Sequence, residues 1–174
     1  MPHRFTQQEY HYFMDKALFE AESALRRGDF PVGCVITDGK DIVASGSREG
    51  STGQRPNEID HAEIMALRRL GALSEAVDPS GLALFCTLEP CLMCYGAILL
   101  SGISEIVYAY EDVMGGGTGC HLGALPPLYA QRQIIIAAGV RRKESLVLFQ
   151  AFFGNPDNDY WRASYLADYT LGQP

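Results

Sequence analysis

The stretch 82–100, LALFCTLEPCLMCYGAILL, decides how this chain folds. Its first seven residues form an apolar run of strand length, and Glu89-Pro90 ends it. Pro90 suits a position just before or at a helix start, where no N–H donor is needed, so 91–100 reads as a helix. Cys91 and Cys94 stand three apart and share one face of its first turn, where a pair of side chains can grip one ion. A helix N-terminus favours the thiolate form that a metal requires.

Working outward, His61-Ala62-Glu63 opens a second helix, read over 60–70, and 106–109 reads as the next strand. Helix, strand, helix, strand in this order implies an α/β fold with helices packed on a central sheet. Upstream, Thr6 and Glu9 form a capping-box pattern, and Phe13, Met14, Leu18, Ala21 and Leu25 recur at helical spacing until Gly28 and Pro31. Residues 32–37 and 42–45 are short apolar runs joined across Asp38-Gly39, a hairpin signal. Residues 47–59 have no periodicity and read as a loop. Downstream of the glycine-rich 115–119, residues 134–138 read as a strand, and helices are expected at 143–153 and 158–169. Tyr160, Trp161 and Tyr165 would fall near one face of the last helix, where they either pack on the core, the favoured reading, or cover the base pocket of this or a partner subunit.

The 174 residues, 47% hydrophobic, suffice for one sizeable core, so a single domain over 1–174 is expected, with 154–174 as a C-terminal helical extension. No signal-peptide pattern opens the chain and no apolar run is long enough to span a bilayer, which points to a cytoplasmic protein without membrane contact. Five cysteines is an odd number, and the tight Cys-x-x-Cys pair reads as metal-binding before disulfide. Cys34 and Cys86 fall within strands and read as small core residues. A net charge of −7 argues against gripping nucleic acid by bulk electrostatics. Clusters at Arg26-Arg27, Arg68-Arg69 and Arg141-Arg142-Lys143 read as solvated helix ends. His3 and His11 are given no role.

His61, Cys91 and Cys94 together supply three protein ligands for one zinc per subunit, leaving the fourth tetrahedral position to a water. Glu63, in the first turn beside His61, is placed to move protons as general acid and base. A rival closes the metal sphere with Cys120 or His121, making it structural, and predicts zinc binding without ammonia release. His-x-Glu followed by Pro-Cys-x-x-Cys is the established signature of zinc-dependent deaminases, and this chain matches it at every fixed position.

The match extends to Phe30-Pro31-Val32-Gly33-Cys34-Val35, to His61-Ala62-Glu63-Ile64-Met65-Ala66-Leu67-Arg68 and to Thr87-Leu88-Glu89-Pro90-Cys91-Leu92-Met93-Cys94. Over roughly 6–153 the chain resembles the cytidine deaminase-like superfamily, most closely its branch of tRNA adenosine deaminases and bacterial guanine deaminases. The resemblance implies a three-layer α/β sandwich, a central mixed five-stranded sheet flanked by helices. It also implies a homodimer with its contact near the active sites, the Ala62 and Cys91 amides as holders of the base, and the Pro90 carbonyl facing the leaving amine.

One position departs from that pattern. Relatives carry an asparagine after the second strand in a Gly-x-Asn context, whereas this chain reads Gly46-Ser47-Arg48. Arginine only donates and is charged, so Arg48 in the pocket would favour a substrate acceptor; Asn57, within the 47–59 loop, could restore the missing amide. The tail beyond Phe153 carries Asp157, Asp159 and Asp168 and few basic residues, which disfavours an RNA backbone. The sequence therefore points to a zinc-dependent hydrolytic deaminase of a small aminated base or nucleoside, a purine by preference. Deamination of adenosine at the tRNA wobble position is the alternative, and a non-catalytic zinc-stabilised binding protein the third reading.

Overall fold

The computed structural model describes residues 4–53, 56–74 and 77–174, so His3 and positions 54–55 of the 47–59 loop lie outside it. Helix α1 (Gln7–Arg26) begins at the expected capping box: the Thr6 hydroxyl accepts from the Glu9 amide at 3.3 Å, and the Glu9 carboxylate accepts from the Thr6 amide at 2.8 Å. Strands β1 (Gly33–Thr37) and β2 (Ile42–Ser47) follow as an antiparallel hairpin. Its turn is held by the Asp38 carboxylate, which accepts from the Lys40 and Asp41 amides at 2.8 and 2.9 Å.

Helix α2 (Ala62–Gly71), strand β3 (Ala83–Leu88), helix α3 (Leu92–Ser101) and strand β4 (Glu105–Tyr110) supply the alternation. A one-turn helix α4 (Pro127–Ala130), strand β5 (Ile135–Ala138) and helices α5 (Arg142–Phe153) and α6 (Tyr165–Leu171) complete the chain. The mixed five-stranded sheet runs β2-β1-β3-β4-β5, with β1 antiparallel to both neighbours and β3, β4 and β5 parallel.

Alternate residues of the central strands face opposite layers. Val35, Ala83, Phe85, Val107 and Ala109 pack with Phe13, Met14 and Ala17 of α1. Cys34, Ile36, Leu84, Cys86 and Ile106 pack with Ala66 of α2 and Ile98 and Leu99 of α3. Both faces are covered, which is why these strands read as continuous apolar runs. Cys34 and Cys86 are opposite each other on β1 and β3, fully buried and unbridged, as core residues.

Gly46 sets the distance between α2 and the sheet. A Cβ there would stand 2.3 Å from the Ala62 carbonyl and 2.7 Å from the Ala66 amide, so only glycine lets α2 lie against β2. The start of α2, which carries His61 and Glu63, is thereby held to the sheet edge.

Several element ends shift by one or two residues from the sequence reading, and three differences bear on the site. Helices α2 and α3 begin at Ala62 and Leu92, which leaves His61 and Cys91 as N-caps in extended conformation. The helix expected over 158–169 is confined to Tyr165–Leu171. The Asn158 side chain clamps the backbone of Tyr160, donating to its carbonyl at 3.2 Å and accepting from its amide at 2.9 Å, and Trp161 adopts φ +53°. A local side-chain-to-backbone ring of this kind competes with helix, and apolar spacing does not reveal it. Among the described residues no helix is long and apolar enough to cross a membrane.

Candidate metal centre and its cleft

The N-termini of α2 and α3 converge. N-cap side chains usually fold back onto their own helix amides, but neither His61 nor Cys91 makes such a bond. They meet each other instead: Nδ1 of His61 lies 3.5 Å from Sγ of Cys91 and 3.5 Å from Sγ of Cys94. Zinc–sulfur and zinc–nitrogen bonds of about 2.3 and 2.0 Å at a tetrahedral angle set their donor atoms about 3.5 Å apart. The three residues therefore fit zinc. Among the described residues they form the one cluster of metal-donor atoms within 4.8 Å of one another. Cys120 is exposed and neither it nor His121 joins the cluster, so the sphere is not closed by either.

The hydrogen bond from Cys94, reinforced by His61, holds the Cys91 thiol far down, at about 4. Cys94, as the donor, is pushed up, with burial adding to the effect. Burial would lower His61, but its bond to Cys91 and the nearby Glu63 carboxylate outweigh that and raise it. Chelation requires both thiolates and a neutral imidazole, so metal binding must release protons here.

Glu63 is 3% exposed, and burial pushes its carboxyl up to about 7. Its Oε2 is without a hydrogen-bond partner among the described residues. A buried polar atom left unmatched is costly unless something bound meets it, and this one lies beside the metal ligands.

His61, Ala62, Glu63 and Cys91 line a cleft together with Phe30, Val32 and Leu88, and it continues past Glu89, Asp112 and Gly115. The last group sits at the carboxyl ends of the parallel strands β3 and β4, where open α/β sheets bind their ligands. That rule was the signal by which sequence reasoning could have found Asp112, which it missed. Tyr160 and Trp161 also line the cleft, whereas Tyr165 is 63% exposed and lies elsewhere.

Arg48 lines the cleft but is 1% exposed, and its guanidinium is directed largely at backbone. Nη1 donates to the carbonyls of Glu49 and Asp60 at 2.9 and 3.0 Å; Nη2 donates to the Asn57 carbonyl and faces the Glu58 carboxylate at 3.5 Å. Arg48 thus ties down the segment that leads into His61. Asn57 is not among the cleft-lining residues; its side chain donates to Asp60 and accepts from the Ile59 and Asp60 amides. Pro90 is buried behind the cleft wall, its carbonyl accepting from the Gly117 amide at 2.8 Å.

Residues 7–110 match the family model of the cytidine and deoxycytidylate deaminase zinc-binding region. A tRNA-specific adenosine deaminase of Streptococcus pyogenes is 32% identical over 155 residues, covering 88% of this chain and 94% of its own. One of Agrobacterium fabrum is 34% identical over 146 residues, covering 82% and 92%. A solved structure from a biochemical and structural study of A-to-I editing by tRNA:A34 deaminases superposes with a TM-score of 0.66 at 31% identity, covering 79% of this chain and 98% of the other.

Proposed function

Because the chain belongs to the cytidine and deoxycytidylate deaminase zinc-binding family, we propose that it converts adenosine to inosine at the wobble position of transfer RNA. The observation that carries this is the 32–34% identity, over most of both chains, to relatives named tRNA-specific adenosine deaminase. That similarity supports the tRNA substrate better than the free base toward which the acidic charge, the Arg48 change and the non-basic tail pointed. A cytoplasmic site of action goes with such a substrate.

The chain is a zinc hydrolase of C–N bonds, and the metal, when bound, supplies a Lewis acid that makes hydroxide available near neutral pH. Glu63, through the Oε2 that has no partner among the described residues, would carry one proton of the attacking water to the ring nitrogen and the second, from the hydroxyl of the tetrahedral adduct, to the amine, so that the C–N bond breaks as the carbonyl forms and ammonia leaves. The Ala62 amide, at the first turn of α2, orients the base; the Pro90 carbonyl is engaged by the Gly117 amide and takes no part in holding it. Arg48 acts here by holding the loop ahead of His61.

A second copy of the chain completes the assembly in this proposal. The apolar groove between α2 and α3, lined by Ile64, Leu67, Leu70, Ala97 and Leu100, is the surface on which it would seat.

One observation favours a small aminated heterocycle as a second reading. The arginines of the basic clusters are engaged with acids: Arg26 with Glu22, Arg27 with Asp29, Arg68 with Asp60, Arg69 with Glu49, Arg141 with Asp15 and Glu144, and Arg142 with Glu111. Ammonia release from an anticodon stem-loop, set beside adenosine, guanine and cytidine with Glu63→Gln as control, separates the two. Inosine in the stem-loop is the expected result, and turnover of a small ring alone would overturn it.

A further inference from the structure

Tyr160 and Trp161 stack nearly parallel, ring centroids 5.4 Å apart and planes at 12°, on the wall of the cleft that His61, Glu63 and Cys91 share. Tyr160 is fixed from two sides. Asn158 grips its backbone, and its hydroxyl donates at 2.9 Å to the Glu58 carboxylate, which faces Arg48. Trp161 stays 38% exposed, far more than an indole in a core-packing role, and its left-handed backbone is a conformation bulky residues seldom keep without a local reason. The carbonyl of Trp161 accepts from the Ser164 amide at 3.0 Å, closing the turn around it. Phe30, Val32 and Leu88 supply apolar surface in the same cleft.

We propose that Trp161 is the stacking wall of the substrate pocket, taking the flat face of the base against the exposed part of the indole, which Tyr160 stacks on and Phe30 meets only at a tilt, centroids 6.4 Å apart and planes at 43°. This rests on the deaminase reading and specifies what the site recognises: the π-face of an aromatic heterocycle, independent of any phosphate. Tyr160 is then a positioning residue, backing the indole and linking it through Glu58 and Arg48 to the segment that carries His61. The C-terminal segment, beyond the part that matches the family model, thereby reaches the reacting ring.

Trp161 is the sole tryptophan of the chain, so intrinsic fluorescence reads this contact directly. The zinc-loaded Glu63→Gln protein is titrated with adenosine, guanosine, cytidine and the anticodon stem-loop, with ribose 5-phosphate as a control that has no aromatic base. Saturable quenching by at least one ring and none by ribose 5-phosphate is expected. In the otherwise native enzyme, Trp161→Ala should raise KM about 10-fold with kcat changed less than about 3-fold, and Trp161→Phe should restore most of the KM, since stacking tolerates any aromatic face. Zinc content and far-UV circular dichroism of both variants confirm folding. Absence of quenching by every ring, or an unchanged KM in Trp161→Ala, overturns the stacking wall. Quenching by a ring without turnover of any panel member would sink the deaminase reading and leave the wall standing; turnover without quenching would do the reverse.

Discussion

Glu63 and Arg48 are both buried ionisable residues on the cleft, and their surroundings separate their roles. Glu63 has an oxygen with nothing to bond among the described residues, while Arg48 directs its guanidinium at three backbone carbonyls. Glu63→Gln should retain zinc, measured by metal analysis, and lose about 10²-fold or more in kcat, because it removes the proton carrier without touching a ligand. Arg48→Ala should lower the thermal midpoint, with a cost of about 3 kcal/mol for leaving buried acceptors unmatched. Arg48→Lys should not rescue it, because a single ammonium cannot reach Glu49, Asn57 and Asp60 at once. A thermal midpoint unchanged in both variants would return Arg48 to the role of a substrate contact.

Among the elements, α2 matters most, because it holds Glu63 and ends the approach of His61. Gly46→Ala should push α2 off β2 at a cost of about 1–3 kcal/mol and weaken zinc retention against a chelator. Loss of stability without loss of metal would show that the site tolerates movement of the helix. At the other end, Glu111 after β4 accepts from Arg142 of α5 at 2.8 and 2.5 Å and from Tyr169 of α6 at 2.7 Å. Burial would raise this carboxyl, but those donors outweigh it and hold it at about 2. A carboxyl lowered on folding stabilises the native state above its unfolded value of about 4.5 and loses that contribution as pH falls toward 2. With the pair about a third exposed, the contribution is on the order of 1 kcal/mol after screening. Glu111→Gln should therefore lower the thermal midpoint by about 2–4 °C at pH 7 and leave it nearly unchanged at pH 2.

At the scale of the molecule, charge and surface make separate predictions. The net charge of −7 and the engaged arginines leave little for a phosphate backbone, so stem-loop binding should depend on salt only shallowly, at about 0.7 in the log–log slope per phosphate contact. A steep slope would mean that some of these ion pairs exchange partners on binding. Leu100 is 52% exposed on the α2–α3 groove, and Leu100→Arg should convert a dimer to a 19.1 kDa monomer by sedimentation while leaving each metal centre filled. Native protein that already sediments as a monomer would refute the dimer.

The alternation of strands and helices was legible in the sequence, and so were the candidates His61, Glu63, Cys91 and Cys94, because the pattern within each motif is local: a period of two or of three to four, a proline at a helix start, two cysteines a turn apart; that the two motifs meet across 30 residues is a tertiary fact. The N-cap placement of His61 and Cys91 lay within two residues of that reading, since the end of a helix is set by what its first side chains bond and not by its apolar pattern. Arg48, Asn57 and the Tyr160–Trp161 pair were a different matter. Arg48 and Tyr160 are placed by contacts to Glu58 across 10 and 102 residues of chain, and Asn57 by a loop closure that has no periodic pattern. The sequence by itself determined the chemistry of the site, because ligand identity and helix register are local properties. Only the tertiary structure decided what shapes the pocket, because closing loops onto one another depends on which buried donors find which acceptors once the sheet has assembled.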